Sequence, residues 1–256
     1  MKNKIDSKIQ NGYTLDIGTL IDDSINTFKK TSLISGIAVI LLGILFFIIY
    51  VAIIGIIFGF SNLTSTFTEL QTNQFSIQVI LITTILSTIT SALFAPMTAG
   101  FIHANHLAKN NQEIGINVFF DFYKSKFFKD IFIAYLIIGL TIGLLNYVFV
   151  MIKMDYLSFV AQFLINLFTI FTLPLIIYGE QNYEKAIVKS AQLFLKQPIL
   201  IFVALLLAVI GVFLGIIALC IGIIFTLPYY YSMVYAIYNQ AIGFEEKSVI
   251  DEIGLI

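Results

Sequence analysis

FTLPLIIYG, residues 171–179, recurs at 225–233 as FTLPYYYSM, and a looser copy, FAPMTAGFI, occupies 94–102. Three apolar stretches with one proline apiece point to a repeated unit, and the blocks around them decide the fold. Uncharged apolar runs cover 33–59, 77–102, 131–152, 157–179 and 199–242. The first four hold 27, 26, 22 and 23 residues. Each is enough for one helix across a hydrocarbon core of about 30 Å at about 1.5 Å per residue. The fifth, with 44 residues, would make about 66 Å of helix. It is predicted to fold back near 215–222, where Gly211, Gly215 and Gly222 supply permissive backbone. The expected fold is all-α: one polytopic membrane domain over 1–256 with six transmembrane helices.

Composition agrees. Hydrophobic residues make up 59%, charged residues 11%, and mean hydropathy is +0.97, more apolar surface than a water-soluble domain of this length can bury. Net charge is −1, so no overall field draws nucleic acid or acidic substrates. All 14 basic residues are lysine, and arginine and tryptophan are absent, which removes bidentate guanidinium recognition of phosphate. The one cysteine, Cys220, is expected to be an apolar filler. The first 32 residues are polar or amphipathic and the first apolar run is longer than a signal-peptide core, so that run is expected to remain as an anchor.

Lysine placement predicts orientation. Lys2, Lys4, Lys8, Lys29 and Lys30 precede the first span. Lys109, Lys124, Lys126 and Lys129 separate spans two and three, Lys185, Lys189 and Lys196 separate spans four and five, and Lys247 follows the last. The other side receives Lys153 alone. Both termini are therefore expected in the cytoplasm. The outer connections fall at 60–76, 153–156 and near 215–222.

Each segment before an odd-numbered span has helical amphipathic spacing: 16–30, 116–130 and 182–196. In the third, Tyr183, Ile187, Ala191 and Phe194 oppose Lys185, Lys189, Gln192 and Lys196. All three end in Phe-x-Lys: Phe28 with Lys30, Phe127 with Lys129, and Phe194 with Lys196. The chain is thus expected to repeat three times, over about 14–106, 113–179 and 180–242: an interfacial helix, an outward span and an inward span carrying Pro96, Pro174 or Pro228. Each proline removes a backbone donor and bends its helix, and the freed carbonyls need neighbours inside the bundle. The bends either form equivalent wedges about a pseudo-threefold axis or simply aim each helix at the next amphipathic segment.

LDIGTLIDDSINTFKK, KAIVKSAQLFLKQP and GIIALCIGIIFTLPYYYSMVYAIYNQ resemble a bacterial group of six-span membrane proteins akin to the membrane domain attached to some glycerophosphoryl diester phosphodiesterases. The resemblance implies topology and an inner-membrane location and lends no catalytic residue. Some proteins of this appearance are linked with carotene oxygenation, but carotenoid-cleaving families hold iron with four histidines, and this chain has two.

Those two, His103 and His106, share a helical face at the end of span two, with no cysteine beside them; no metal or other cofactor is expected. No Asp, Glu or Lys falls inside a span, which argues against an energised pump. Thr83, Ser87, Thr90 and Ser91 recur at helical spacing and either line a wet groove or permit close packing. Tyr229, Tyr230, Tyr231, Tyr235 and Tyr238 have the makeup of an interfacial belt. Phosphate-cradling loops, nucleophile elbows and His-Glu metalloprotease signatures are absent. The function expected is non-enzymatic: binding of membrane lipid, anionic lipid included, or of a membrane-protein partner through the amphipathic helices. The alternative is a channel or facilitator with its pore on the pseudo-threefold axis. The residues expected to meet lipid are Phe28, Lys30, Phe127, Lys129, Lys185, Lys189, Phe194 and Lys196.

Overall fold

A computed structural model describes residues 1–58, 68, 77–217 and 222–244. Among them there are helices, turns and short irregular joints and no strand. The helices are α1 (Lys2–Asn11), α2 (Ile17–Phe58), α3 (Ile77–Lys109), α4 (Phe128–Met151), α5 (Asp155–Phe168), α6 (Thr172–Ile177), α7 (Tyr183–Phe194), α8 (Pro198–Ile217), α9 (Gly222–Thr226) and α10 (Tyr229–Ala241). Five stretches are long and apolar enough to cross a membrane: Ile17–Ala52, Ile80–Lys109, Phe128–Met151, Asp155–Ile177 and Pro198–Gly215. The chain is that of a multi-pass membrane protein. Leu33, Ile44, Phe47 and Ile48 of α2 and Phe159 of α5 stand exposed, as lipid-facing side chains do. The connection at 60–76, apart from Thr68, and Cys220, Lys247 and part of the turn at 215–222 lie outside the described residues.

The first interfacial helix and the first span are one element. α2 runs 42 residues, about 63 Å, where two helices were expected. Leu20, Ser24, Thr27, Thr31, Ser35, Ala38 and Leu42 are all buried, and their three- and four-residue steps trace one stripe across the expected joint. The same face packs throughout, so nothing interrupts the helix. The second interfacial helix does not form. Residues 116–130 begin as two 3₁₀ turns, Ile116–Phe119 and Asp121–Tyr123, before α4 starts at Phe128. Val118, Phe119 and Phe122 are buried, and a Cβ on Gly100 of α3 would sit 2.6 Å from the Phe119 Cα. A run rich in aromatic and β-branched residues has weak helix propensity, and here it gains more by inserting rings against α3. The third interfacial segment is helical as expected, with Asn182 capping α7 by accepting from the Lys185 N–H at 3.2 Å.

α1 was not expected. Its Ile5 is fully buried. Just beyond it, the Tyr13 hydroxyl donates to Leu193 O at 2.8 Å, and Gln197 Nε2 donates to Tyr13 O at 2.8 Å. These bonds tie the N-terminal segment to the end of α7.

The prolines act in two ways. Pro96 lies within an unbroken α3, and the Tyr123 hydroxyl donates to the nearby Leu93 carbonyl at 2.6 Å. At Pro174 and Pro228 the inward segments break: α5 yields to α6 through 169–171, and α9 yields to α10 through 227–228. The expected sixth span is therefore two helices of 5 and 13 residues. At the first break, buried Ser190 of α7 accepts from the Phe171 N–H at 3.0 Å and donates to Phe168 O at 2.7 Å. The bends do pack inside: every residue of α6 is buried, as are Ser232 through Tyr238 of α10.

Candidate functional site

The segments that follow the three prolines converge at the lysine-rich end of the bundle. His103 and His106 stand seven and ten residues after Pro96; Tyr235 and Tyr238 stand seven and ten after Pro228; Tyr178 stands four after Pro174. Their rings form one cluster. His103 Nδ1 lies 3.2 Å from Tyr178 OH, and His106 Nδ1 lies 3.4 Å from Tyr235 OH. His106 Nε2 lies 3.3 Å from Asn110 Nδ2; an amide donating there leaves Nδ1 as the protonated ring nitrogen, so neutral His106 donates to Tyr235. The Tyr235 hydroxyl proton is then free for another acceptor. Phe244 closes the cluster, 4.3 Å from the His106 ring and stacked on Tyr235 at 5.5 Å. Tyr238 is fully buried, and its hydroxyl has no hydrogen-bond partner among the described residues.

His106, Tyr178, Tyr235 and Phe244 of this cluster line a cavity of about 1280 Å³, together with Lys2, Lys109 and Glu180. Lys109 pairs with Asp23 of α2, and Glu180 pairs with Lys126. The hydrogen bond and charge of Lys126 hold the Glu180 carboxyl below its ordinary range. Ala95, Ala99, Ile131 and Ala134 are buried in the same core cluster as Tyr235 and Tyr238. The two histidines share a face as expected, but among the described residues no group of three His, Cys, Asp or Glu side chains is arranged to hold a metal ion. Their nitrogens face tyrosines instead. The belt expectation for Tyr235 and Tyr238 is corrected: both rings are interior.

The Phe-x-Lys residues do not act as one set. Phe194 is 6% exposed and lies edge-on to Phe168, so it faces the core and not the acyl boundary. Phe28 packs edge-on to Tyr229 at 5.3 Å, and half-buried Phe127 sits under the Lys126 ammonium at 5.0 Å. Lys189 pairs with Asp6 of α1. Lys30 donates to Ala108 O at 3.1 Å and to Asn111 Oδ1 at 2.6 Å, neutralising the carbonyl end of α3. Lys30 also edges a cavity of about 420 Å³ walled by Leu33, Ile34 and Ile37. Lys129, Lys185 and Lys196 are exposed.

Tyr178, Phe244 and the docked α1 were missed from the sequence. The signal that could have found Tyr178 was the alignment of the proline copies, read onward past each proline as well as within it. No family model matches the chain, and no curated protein or solved structure does.

Proposed function

We propose that this is a six-span, three-repeat protein of the bacterial inner membrane, with both termini cytoplasmic, which binds an anionic lipid at its cytoplasmic end without catalysing a reaction. The lysine distribution supports the orientation. Together α9 and α10 cover 222–241, about 30 Å of helix, which suits a sixth crossing. The proposed likeness to the membrane domain of glycerophosphoryl diester phosphodiesterases rests on the same topology.

The observation that carries the lipid reading is the large aromatic and polar cavity at the lysine-rich end. Such a chamber has the size and polarity to hold a headgroup. Lys2 and Lys109 outnumber Glu180 at its rim, and lysines near a bilayer surface contribute about 1 kcal/mol each toward anionic lipid. The facilitator reading has less support, because the α3 hydroxyls face α4 and α5 and not a central axis.

The test is native mass spectrometry of the full chain released from nanodiscs of equal phosphatidylglycerol and phosphatidylcholine. Wild type should retain phosphatidylglycerol preferentially. Lys2→Glu should reduce that retention roughly fivefold, the effect of about 1 kcal/mol, while Lys153→Glu at the far end should not. Equal retention of both lipids by wild type would sink the proposal.

A further inference from the structure

A third cavity, of about 540 Å³, lies at the opposite end of the bundle between α3, α4 and α5. Thr84 and Thr88 of α3 meet Gly143 and Gly139 of α4 so closely that a Cβ on Gly143 would clash with Thr84 and one on Gly139 would come within 3.0 Å of Thr88. The glycines therefore bring the two helices together along one edge, and the cavity opens beside that edge against the first turns of α5.

Its polar wall joins the carboxamides of Asn146 and Gln162, which both donate and accept, to a set of hydroxyl and carboxylate acceptors. Ser87 donates its hydroxyl proton to Thr84 O at 3.1 Å, and Ser91 donates to Thr88 O at 3.0 Å. Both protons are spent on α3 itself, so what these serines turn outward is oxygen lone pairs. Asp155, at the start of α5, adds a carboxylate, an acceptor on every side when ionised. Three of the lining residues, Thr88, Asp155 and Ser158, each carry a buried polar atom (Oγ1, Oδ1 and Oγ) that has no hydrogen-bond partner among the described residues. Thr88 is only 4% exposed, and an unmet hydroxyl at such depth is costly. Among the described residues no lysine lines the cavity, which leaves the carboxylate without a cationic side chain beside it.

We propose that this groove binds a protonated primary amine. An ammonium brings three N–H donors and one positive charge, matching the orphaned oxygens of Thr88 and Ser158 and the charge of Asp155. The amine has two sources of the same chemistry, the headgroup of an aminophospholipid or a small free amine. The reading is independent of the lipid cavity at the other end, which has a cationic rim and a different wall.

The experiment uses the full chain in nanodiscs of equal phosphatidylethanolamine and phosphatidylcholine, read by native mass spectrometry, with thermal melting measured with and without added ethanolamine. A charge-assisted hydrogen bond corresponds to roughly a tenfold preference, so wild type should retain phosphatidylethanolamine over phosphatidylcholine by about that factor, or melt higher with ethanolamine. Lipid preference without an ethanolamine effect assigns the headgroup, and the converse assigns a free amine. Asp155→Asn should abolish either effect. Thr88→Val, of similar volume, should weaken it severalfold, with Thr88→Ser restoring it. Equal retention of both lipids together with unchanged melting overturns the proposal. An effect that survives undiminished in Asp155→Asn and Thr88→Val also overturns it, by placing the amine elsewhere.

Discussion

Ser190 joins the two halves of a broken span with one oxygen, accepting from Phe171 and donating to Phe168. Both backbone groups are left over where the chain turns ahead of Pro174, and among the described residues Ser190 is what restores them inside an apolar bundle. Ser190→Ala should therefore cost about 1–3 kcal/mol, the penalty for stranding buried polar groups. It should lower the melting temperature in detergent, whereas Gln192→Ala on the exposed face of α7 should not. The same serine marks where sequence reasoning stopped. Helical spacing placed Tyr183, Ile187, Ala191 and Phe194 on the apolar face, but the buried residues are Ala186, Ser190, Leu193 and Phe194. Hydropathy rewards large side chains, while close packing of α7 on its neighbours selects small ones. Phe194 was read correctly as apolar and wrongly as lipid-facing, since spacing tells which residues share a face and not what that face meets.

At the scale of elements, the long apolar helices were legible because length and hydropathy decide them almost alone. The short polar ones were not. KNKIDSKIQN offers a single buried side chain, Ile5, too little signal to separate α1 from a solvated tail. Its docking is decided by partners remote in sequence, Leu193 and Gln197 through Tyr13 and Lys189 through Asp6. Burial pushes the Tyr13 hydroxyl well above its ordinary value, which gives this contact a distinctive pH dependence. Above about pH 10 the unfolded tyrosine loses its proton while the docked one keeps it. The unfolded state then binds fewer protons, and stability falls as pH rises. Tyr13→Phe should be less stable at neutral pH, having lost a hydrogen bond, yet should show a shallower decline above pH 10. Melting curves of both proteins from pH 8 to 11 check this; parallel curves would mean that Tyr13 is not buried in solution. The 116–123 segment failed for the opposite reason. Its spacing was helical, but Gly100 leaves room for the Phe119 backbone itself, and direct backbone contact outweighs a pattern.

For the whole molecule, the proposed orientation is open to direct test. Cysteines placed at Asn111 and Glu184 should react with a membrane-impermeant thiol reagent only after spheroplasts are permeabilised, while Lys153→Cys should react at once, with Cys220 replaced by Ala in every variant. The reverse pattern would invert the protein and move its cationic cavity outside. The gathering of His106, Tyr178 and Tyr235 was half-written in the sequence, because the prolines recur and these residues sit at short offsets beyond them. What spacing alone left open was whether those prolines aim inward or merely redirect the chain, a matter of tertiary packing. One further consequence lies in α2. Its first 16 residues, 17–32, reach about 24 Å beyond the apolar run, stiffly continuous with it. Transmembrane helices change tilt as the bilayer thickens or thins, and a swing of about 10° moves the far end of such a lever by about 4 Å. Asp23 grips Lys109 at the rim of the lysine-rich chamber, so that rim is joined directly to the lever. The rim of that chamber is thus mechanically continuous with a membrane-spanning helix.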